Sequence, residues 1–290
     1  MLLAYSSNAY TNHSIEEAIA RIATLGYAGI EILADVPHAW PDDVTPARRQ
    51  TILRCLSDYS LQIANVNAFM MRGAADPRHP FWYPSWIEPV AARRVIRQEH
   101  TKKTLQLAAD LGAPSIQTEP GGPLEEGQSR EKALRIFYDQ LMPCVELAER
   151  LEVQLLIEPE PELLIERFEQ YLAFADRVDS PWLGLNFDIG HAFCVGDSPE
   201  EWIPRLAGHT RHYHIEDIAK SREHKHLVPG RGAIDLSAVL RAIRETEYAR
   251  FVTVELYPYV DGPDAAGREA KEHLEGMALP EIASARGRMI

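Results

Sequence analysis

Four short runs each set a side chain able to hold a metal at or near the end of an apolar, strand-like stretch. They are Leu155-Leu156-Ile157-Glu158, Leu185-Asn186-Phe187-Asp188-Ile189-Gly190-His191, Arg211-His212-Tyr213-His214-Ile215-Glu216 and Phe251-Val252-Thr253-Val254-Glu255. A carboxylate or imidazole at such a place is costly to bury unless something pairs with it. A single shared divalent cation is the simplest partner for Glu158, Asp188, His214 and Glu255. Three carboxylates and one imidazole form a hard set suited to Mn²⁺ first, with Mg²⁺, Co²⁺ or Zn²⁺ as alternatives.

Four protein ligands leave two positions on a six-coordinate ion, which adjacent oxygens of a sugar-like molecule would fill. Metal contact polarises a carbonyl and stabilises an enediolate, easing removal of the neighbouring carbon-bound proton. Glu158 and Glu255, from opposite sides of the site, are the candidate acid and base. His191, three residues after Asp188, is a candidate substrate contact, with a second metal as its alternative role. Any one Glu at a strand end is ordinarily a surface group or helix cap; four in register are what carry the metal reading.

Strand-like and helix-like segments must position these residues, and they alternate along the whole chain. Leu2 to Tyr5 reads as a first strand. The capping box Ser14-Ile15-Glu16-Glu17 opens a helix with Ile15, Ala18, Ile19, Ile22 and Leu25 on one face. Gly29 to Leu33 and Leu61 to Val66 read as the second and third strands, with a helix from Pro46 to about Tyr59 between them. A helix from about Val90 to Leu111 precedes a fourth strand, Pro114 to Thr118. Helices are expected at about Ser129 to Glu149 (kinked at Pro143), Glu162 to Val178, Pro199 to Leu206, Leu236 to Glu247 and Ala265 to Met277.

Eight strands alternating with roughly eight helices predict a single closed (β/α)₈ barrel over residues 1–290. An open doubly wound sheet lacks the Gly-x-Gly-x-x-Gly run it would want after the first strand. In a barrel the strand C-termini meet on one face, which gathers residues far apart in sequence. The rhythm breaks at about residues 68–89, an aromatic-rich loop expected over the barrel mouth. Trp82 in it is a candidate to cover a sugar; packing on a rim or on another subunit is the alternative. Residues from about 278 to 290 read as a C-terminal tail.

The formal net charge of −13 argues against a nucleic-acid binder, which would want a basic face. Cys55, Cys144 and Cys194 show no CxxC spacing, so reduced thiols in a cytoplasmic protein are expected. The N-terminus lacks the basic region and apolar core of a signal peptide, and no apolar run reaches the ~18 residues of a membrane span. No Gly-rich phosphate cradle is present.

Taken together, these runs resemble the xylose isomerase-like TIM-barrel superfamily, and within it the sugar phosphate isomerase/epimerase group that includes ketose 3-epimerases. Leu25-Gly26-Tyr27-Ala28-Gly29-Ile30-Glu31, His212 to Asp217, Pro229-Gly230-Arg231-Gly232-Ala233-Ile234-Asp235 and Val254-Glu255 carry the likeness, along with the Glu158 and Asp188 runs. The resemblance implies one divalent metal, often manganese, on Glu158, Asp188, His214 and Glu255, with Glu158 and Glu255 exchanging the proton. It implies substrate contacts from His191 and Arg231, the latter brought close by its flanking glycines. Glu119 and His226 complete the candidate substrate contacts. Homo-oligomers, common among related barrels, are a further expectation.

The expected function is a metal-dependent isomerase or epimerase of a sugar, keto-sugar or cyclitol. A lyase or dehydratase using the same proton abstraction is the alternative. Two further alternatives are an apurinic-site endonuclease-like hydrolase and a non-catalytic carbohydrate-binding barrel. His224 and His226 fall near two further ligands of the three-metal endonucleases. Glu119 and Asn67 stand where those enzymes are expected to carry histidines.

Overall fold

The computed structural model describes residues 1–78 and 81–277. The C-terminal tail therefore lies outside the described residues, as do His79 and Pro80 of the aromatic loop. Eight parallel strands close into one barrel in sequence order: β1 (Leu2–Ser6), β2 (Gly29–Leu33), β3 (Gln62–Asn67), β4 (Ser115–Thr118), β5 (Gln154–Ile157), β6 (Leu183–Asp188), β7 (Thr210–Ile215) and β8 (Phe251–Val254). β8 pairs back onto β1, Leu2 beside Phe251 and Tyr5 beside Val254. The expected (β/α)₈ barrel is the fold, and its closure leaves no strand edge unpaired.

Around it run α1 (Ile15–Thr24), α2 (Pro46–Asp58), α3 (Ala91–Leu111), α4 (Arg130–Leu151), α5 (Phe168–Val178), α6 (Ile189–Cys194), α7 (Pro199–Leu206), α8 (Leu236–Glu245) and α9 (Pro263–Gly276). The Ser14 capping box forms as read: Ser14 Oγ accepts from the Glu17 N–H, and Glu17 accepts from the Ser14 N–H. Ile15, Ala18, Ile19 and Ile22 bury the α1 face predicted from their spacing. Fully burying such a side chain contributes about 1.5–3 kcal/mol.

Two local readings change. The helix expected from about Glu162 begins only at Phe168. Glu162 takes a left-handed backbone at φ 71°, which a right-handed helix does not run through. The freed segment brings Glu158 and Glu160 to the barrel mouth and packs Leu164 and Ile165 into the core. Second, α6 begins directly at the end of β6, with Asp188 as its N-cap accepting from the His191 N–H. Its six residues are too few for the apolar spacing to announce it.

The strands alternate, as pleating requires. On β7, Tyr213 and Ile215 join the hydrophobic core shared with the helices. His212 and His214, with Glu216 beyond the strand, are buried polar side chains on the other face. Register shifts between Ile30 and Glu31 on β2 and between Leu185 and Asn186 on β6 sit beside the polar interior, where a bulge re-aims side chains.

Candidate metal centre at the barrel mouth

Glu158 follows β5, Asp188 ends β6, His214 lies in β7 and Glu255 follows β8. All four are buried, and one ligand atom from each lies within 4.8 Å of the others. The four residues singled out from the sequence thus meet at one point.

The three carboxylates share a pattern. One oxygen of each is held by the barrel and the other faces the centre. Glu158 Oε2 accepts from Gln117 Nε2 at 3.3 Å, and Oε1 lies 2.8 Å from His214 Nδ1. Glu255 Oε1 accepts from Asn8 Nδ2 at 2.8 Å and Asn67 Nδ2 at 3.3 Å, while Oε2 lies 3.5 Å from His214 Nδ1. Asp188 Oδ1 accepts the His191 N–H at 2.7 Å, and its Oδ2 is buried without a hydrogen-bond partner. Anchoring of this kind is what orients ligating groups around a metal.

Electrostatics point the same way. Burial pushes Glu158 and Glu255 above the usual carboxylate range. Burial opposes the charge on His214, yet Glu255, Glu31 and Glu158 hold it well above its ordinary value. Three carboxyl groups crowd one imidazole here, and an unpartnered Asp188 oxygen faces them. The donor set, its crowding and this orphaned oxygen fit a hard divalent cation.

Glu31, whose role the sequence left unassigned, is central. Its Oε2 lies 2.8 Å from His214 Nε2, and its carboxylate accepts from Ser6 Oγ at 2.8 Å and Asn65 Nδ2 at 2.9 Å. Burial raises Glu31, but His214 and His212 overcome it and hold it well below the usual range. The signal was the isolated carboxylate between Ile30 and Ile32. Asn8 and Gln117 carried no comparable signal.

A cavity opens on the centre, lined among others by Glu158, Glu255, His191 and His226. Glu160 also lines it and was not singled out from the sequence. Its Oε2 is 3.3 Å from His191 Nε2 and its Oε1 3.5 Å from His224 Nδ1. Glu216 is buried under α6: its Oε1 accepts the Gly190 N–H at 2.6 Å. A Cβ on Gly190 would meet that oxygen at 2.0 Å.

Three other expected substrate contacts lie elsewhere. Arg231 is half-exposed and forks onto Glu269 of α9, at 2.6 and 2.5 Å. Its flanking glycines instead let the backbone wrap Asp217, whose Oδ2 accepts from Gly230 N at 3.0 Å and Gly232 N at 2.9 Å. Glu119 is buried behind the loop, where its Oε1 accepts the Trp86 N–H at 3.1 Å. Trp82 is half-buried in the aromatic loop and is not among the lining residues; its neighbour Phe81 is.

A family model described as "Xylose isomerase-like TIM barrel" matches residues 19–277. An inosose dehydratase of Clostridium beijerinckii is 22% identical, over 91% of this chain and 89% of its own. A fructoselysine 3-epimerase of Shigella flexneri is 26% identical, over 92% and 94% respectively. Among solved structures, the IOLI protein with a bound zinc atom superposes with a TM-score of 0.78 at 20% identity, covering 96% of this chain and 98% of that one. Among the described residues no helix is long and apolar enough to cross a membrane.

Proposed function

The chain belongs to the xylose isomerase-like TIM barrel family, and on that premise we propose that it is a divalent-metal-dependent isomerase or epimerase of a sugar, keto-sugar or cyclitol. The observation that carries this is the convergence of Glu158, Asp188, His214 and Glu255, each carboxylate with one oxygen tied back and one turned inward. These four residues would hold the cation. Manganese is our first choice from the donor set; the zinc in the IOLI structure keeps zinc in view. Bound there, the cation would supply Lewis acidity, making the carbon-bound hydrogen next to a carbonyl easier to remove.

The chain's own residues do the rest. Glu158 and Glu255 approach the cavity from β5 and β8, so a substrate between them meets a carboxylate on either side. One takes the proton from the carbon, and the other returns a proton to the opposite face, inverting that centre. His191 and His226 line the cavity beside them and bind substrate oxygens. Phe81 and Tyr257, edge to face at 5.8 Å, both line the cavity.

A dehydratase reading draws support from the inosose dehydratase relative. It uses the same first step, after which a carboxylic acid protonates a departing hydroxyl rather than the carbon. One experiment separates the two. The metal-loaded protein is incubated with ketoses, keto-sugars and inososes in D₂O and followed by NMR. Exchange with an isomeric product is expected; loss of water would establish the dehydratase, and no exchange with any candidate would refute both.

A further inference from the structure

We infer that a second cavity, between Trp40 and the outer face of α3, binds a small uncharged molecule that is mostly apolar and carries one hydroxyl or N–H donor. This cavity shares no lining residue with the one at the barrel mouth and does not depend on the chemistry proposed there.

Three segments meet to form it. Val95, Ile96 and His100 come from successive turns of one face of α3. Trp40 stands in the loop between β2 and α2, and the buried Met71 follows β3. The half-open space is about 280 Å³, roughly twice the ~150 Å³ apolar cavity that takes up benzene. Val95 and Ile96 are 47% and 45% exposed, so an occupant would remove apolar surface from water. Trp40 is already in place to receive it. Its indole stacks on the His100 ring at 4.8 Å, and it lies so close over Gly73 that a Cβ there would meet it at 2.6 Å.

The polar complement is a single atom. His100 is buried, and its ring hydrogen-bonds the Ala68 carbonyl. A carbonyl only accepts, so the nitrogen facing it donates. Burial, with Arg97 and Lys103 nearby, pushes His100 down to about 3, so the ring is neutral. Its Nε2 therefore keeps a lone pair, and that atom is buried with no hydrogen-bond partner. An acceptor left so is costly, and one donor relieves it. Water suits the place poorly, because a buried water wants two to four polar partners. Among the described lining residues the other charged groups are exposed and already spent: Asp42 pairs with Lys103 at 2.5 Å, and Glu99 with Lys102 at 2.9 Å. With those charges paired, nothing in the cavity calls for a charged ligand. An apolar wall with one placed polar group is the usual make-up of a small-molecule site.

The test uses the full-length, metal-loaded protein with phenol and toluene, which match in size and differ in the donor. Ligand-observed NMR titration reads binding, and the resonance of His100 Nε2 reads the hydrogen bond. Transfer from water alone favours toluene. The His100 acceptor should reverse that order, phenol binding about 3- to 10-fold more tightly and moving the Nε2 resonance. His100→Phe should restore the preference for toluene. Should this buried variant not fold, Ile96→Trp, at an exposed position, fills the groove and should weaken both probes by about tenfold or more. Toluene bound as tightly as phenol, no saturable binding of phenol, or phenol that leaves the His100 resonance unmoved would overturn the inference. So would a wild-type dimer, seen by sedimentation, that Ile96→Trp dissociates, because a second copy of the chain would then be the occupant.

Discussion

His214 Nε2 lies 2.8 Å from Glu31 Oε2 across the barrel interior, from β7 to β2. That bond fixes the ring so that Nδ1 faces Glu158, Asp188 and Glu255, at 2.8, 3.7 and 3.5 Å. Glu31 thus aims an imidazole that it shares with the proposed cation. Glu31→Gln keeps the volume and removes the charge. Affinity for Mn²⁺ or Zn²⁺, measured by competition with a chelating dye, should fall about 10- to 100-fold. Unchanged affinity would strip Glu31 of this role.

Glu158 and Glu255 are proposed both to hold the cation and to move the proton. Glu158→Gln and Glu255→Gln should each slow solvent exchange at the substrate carbon by about 10²- to 10⁴-fold. Metal content is measured on the same samples, so that loss of the ion is told apart from loss of the base. If neither substitution costs as much as tenfold, the acid/base assignment is wrong.

Arg97 of α3 is fully buried and ties down the aromatic loop. It donates to Pro84 O at 3.0 Å, Ala68 O at 3.4 Å, Phe69 O at 2.6 Å and Phe81 O at 3.1 Å, and faces Glu119 at 3.7 Å. Arg97→Met takes this donor from four carbonyls and one carboxyl group. We expect a loss of about 3–5 kcal/mol in denaturant unfolding. KM should rise too, because Phe69 and Phe81 line the cavity. A change under about 1 kcal/mol, the scale of a surface ion pair, would show that the loop stands without it.

Burial pushes Glu119 up to about 7, against the pull of Arg97 and the Trp86 N–H and with a small upward push from Glu88. The folded state then holds this proton more tightly than the unfolded chain. The sign follows from linkage: its stabilising contribution is complete below pH about 4.5 and is lost as pH rises to about 7. Stability of the wild type relative to Glu119→Gln should fall across that window, by up to about 1.4 kcal/mol per pH unit. Parallel urea midpoints at pH 5, 6 and 7 check it; curves that stay parallel would mean Glu119 titrates normally.

Much of this molecule is local and so was legible in its residues. Strand and helix periods, the Ser14 cap and four ligand-type side chains at strand ends depend on neighbours a few positions away, and closure of the barrel follows from their alternation. The division of labour within the site does not. Whether Glu31 braces His214, whether Glu160 lines the cavity, and which oxygen of Glu255 Asn8 holds are set by strand register across a closed sheet, which joins residues up to 247 positions apart. Arg231 shows the converse. Its two glycines advertised a close approach, but only the folded loop reveals that the backbone closes on Asp217 and the guanidinium turns to Glu269. Sequence fixes which groups are present and on which face of a strand they stand; tertiary packing alone decides which of them meet.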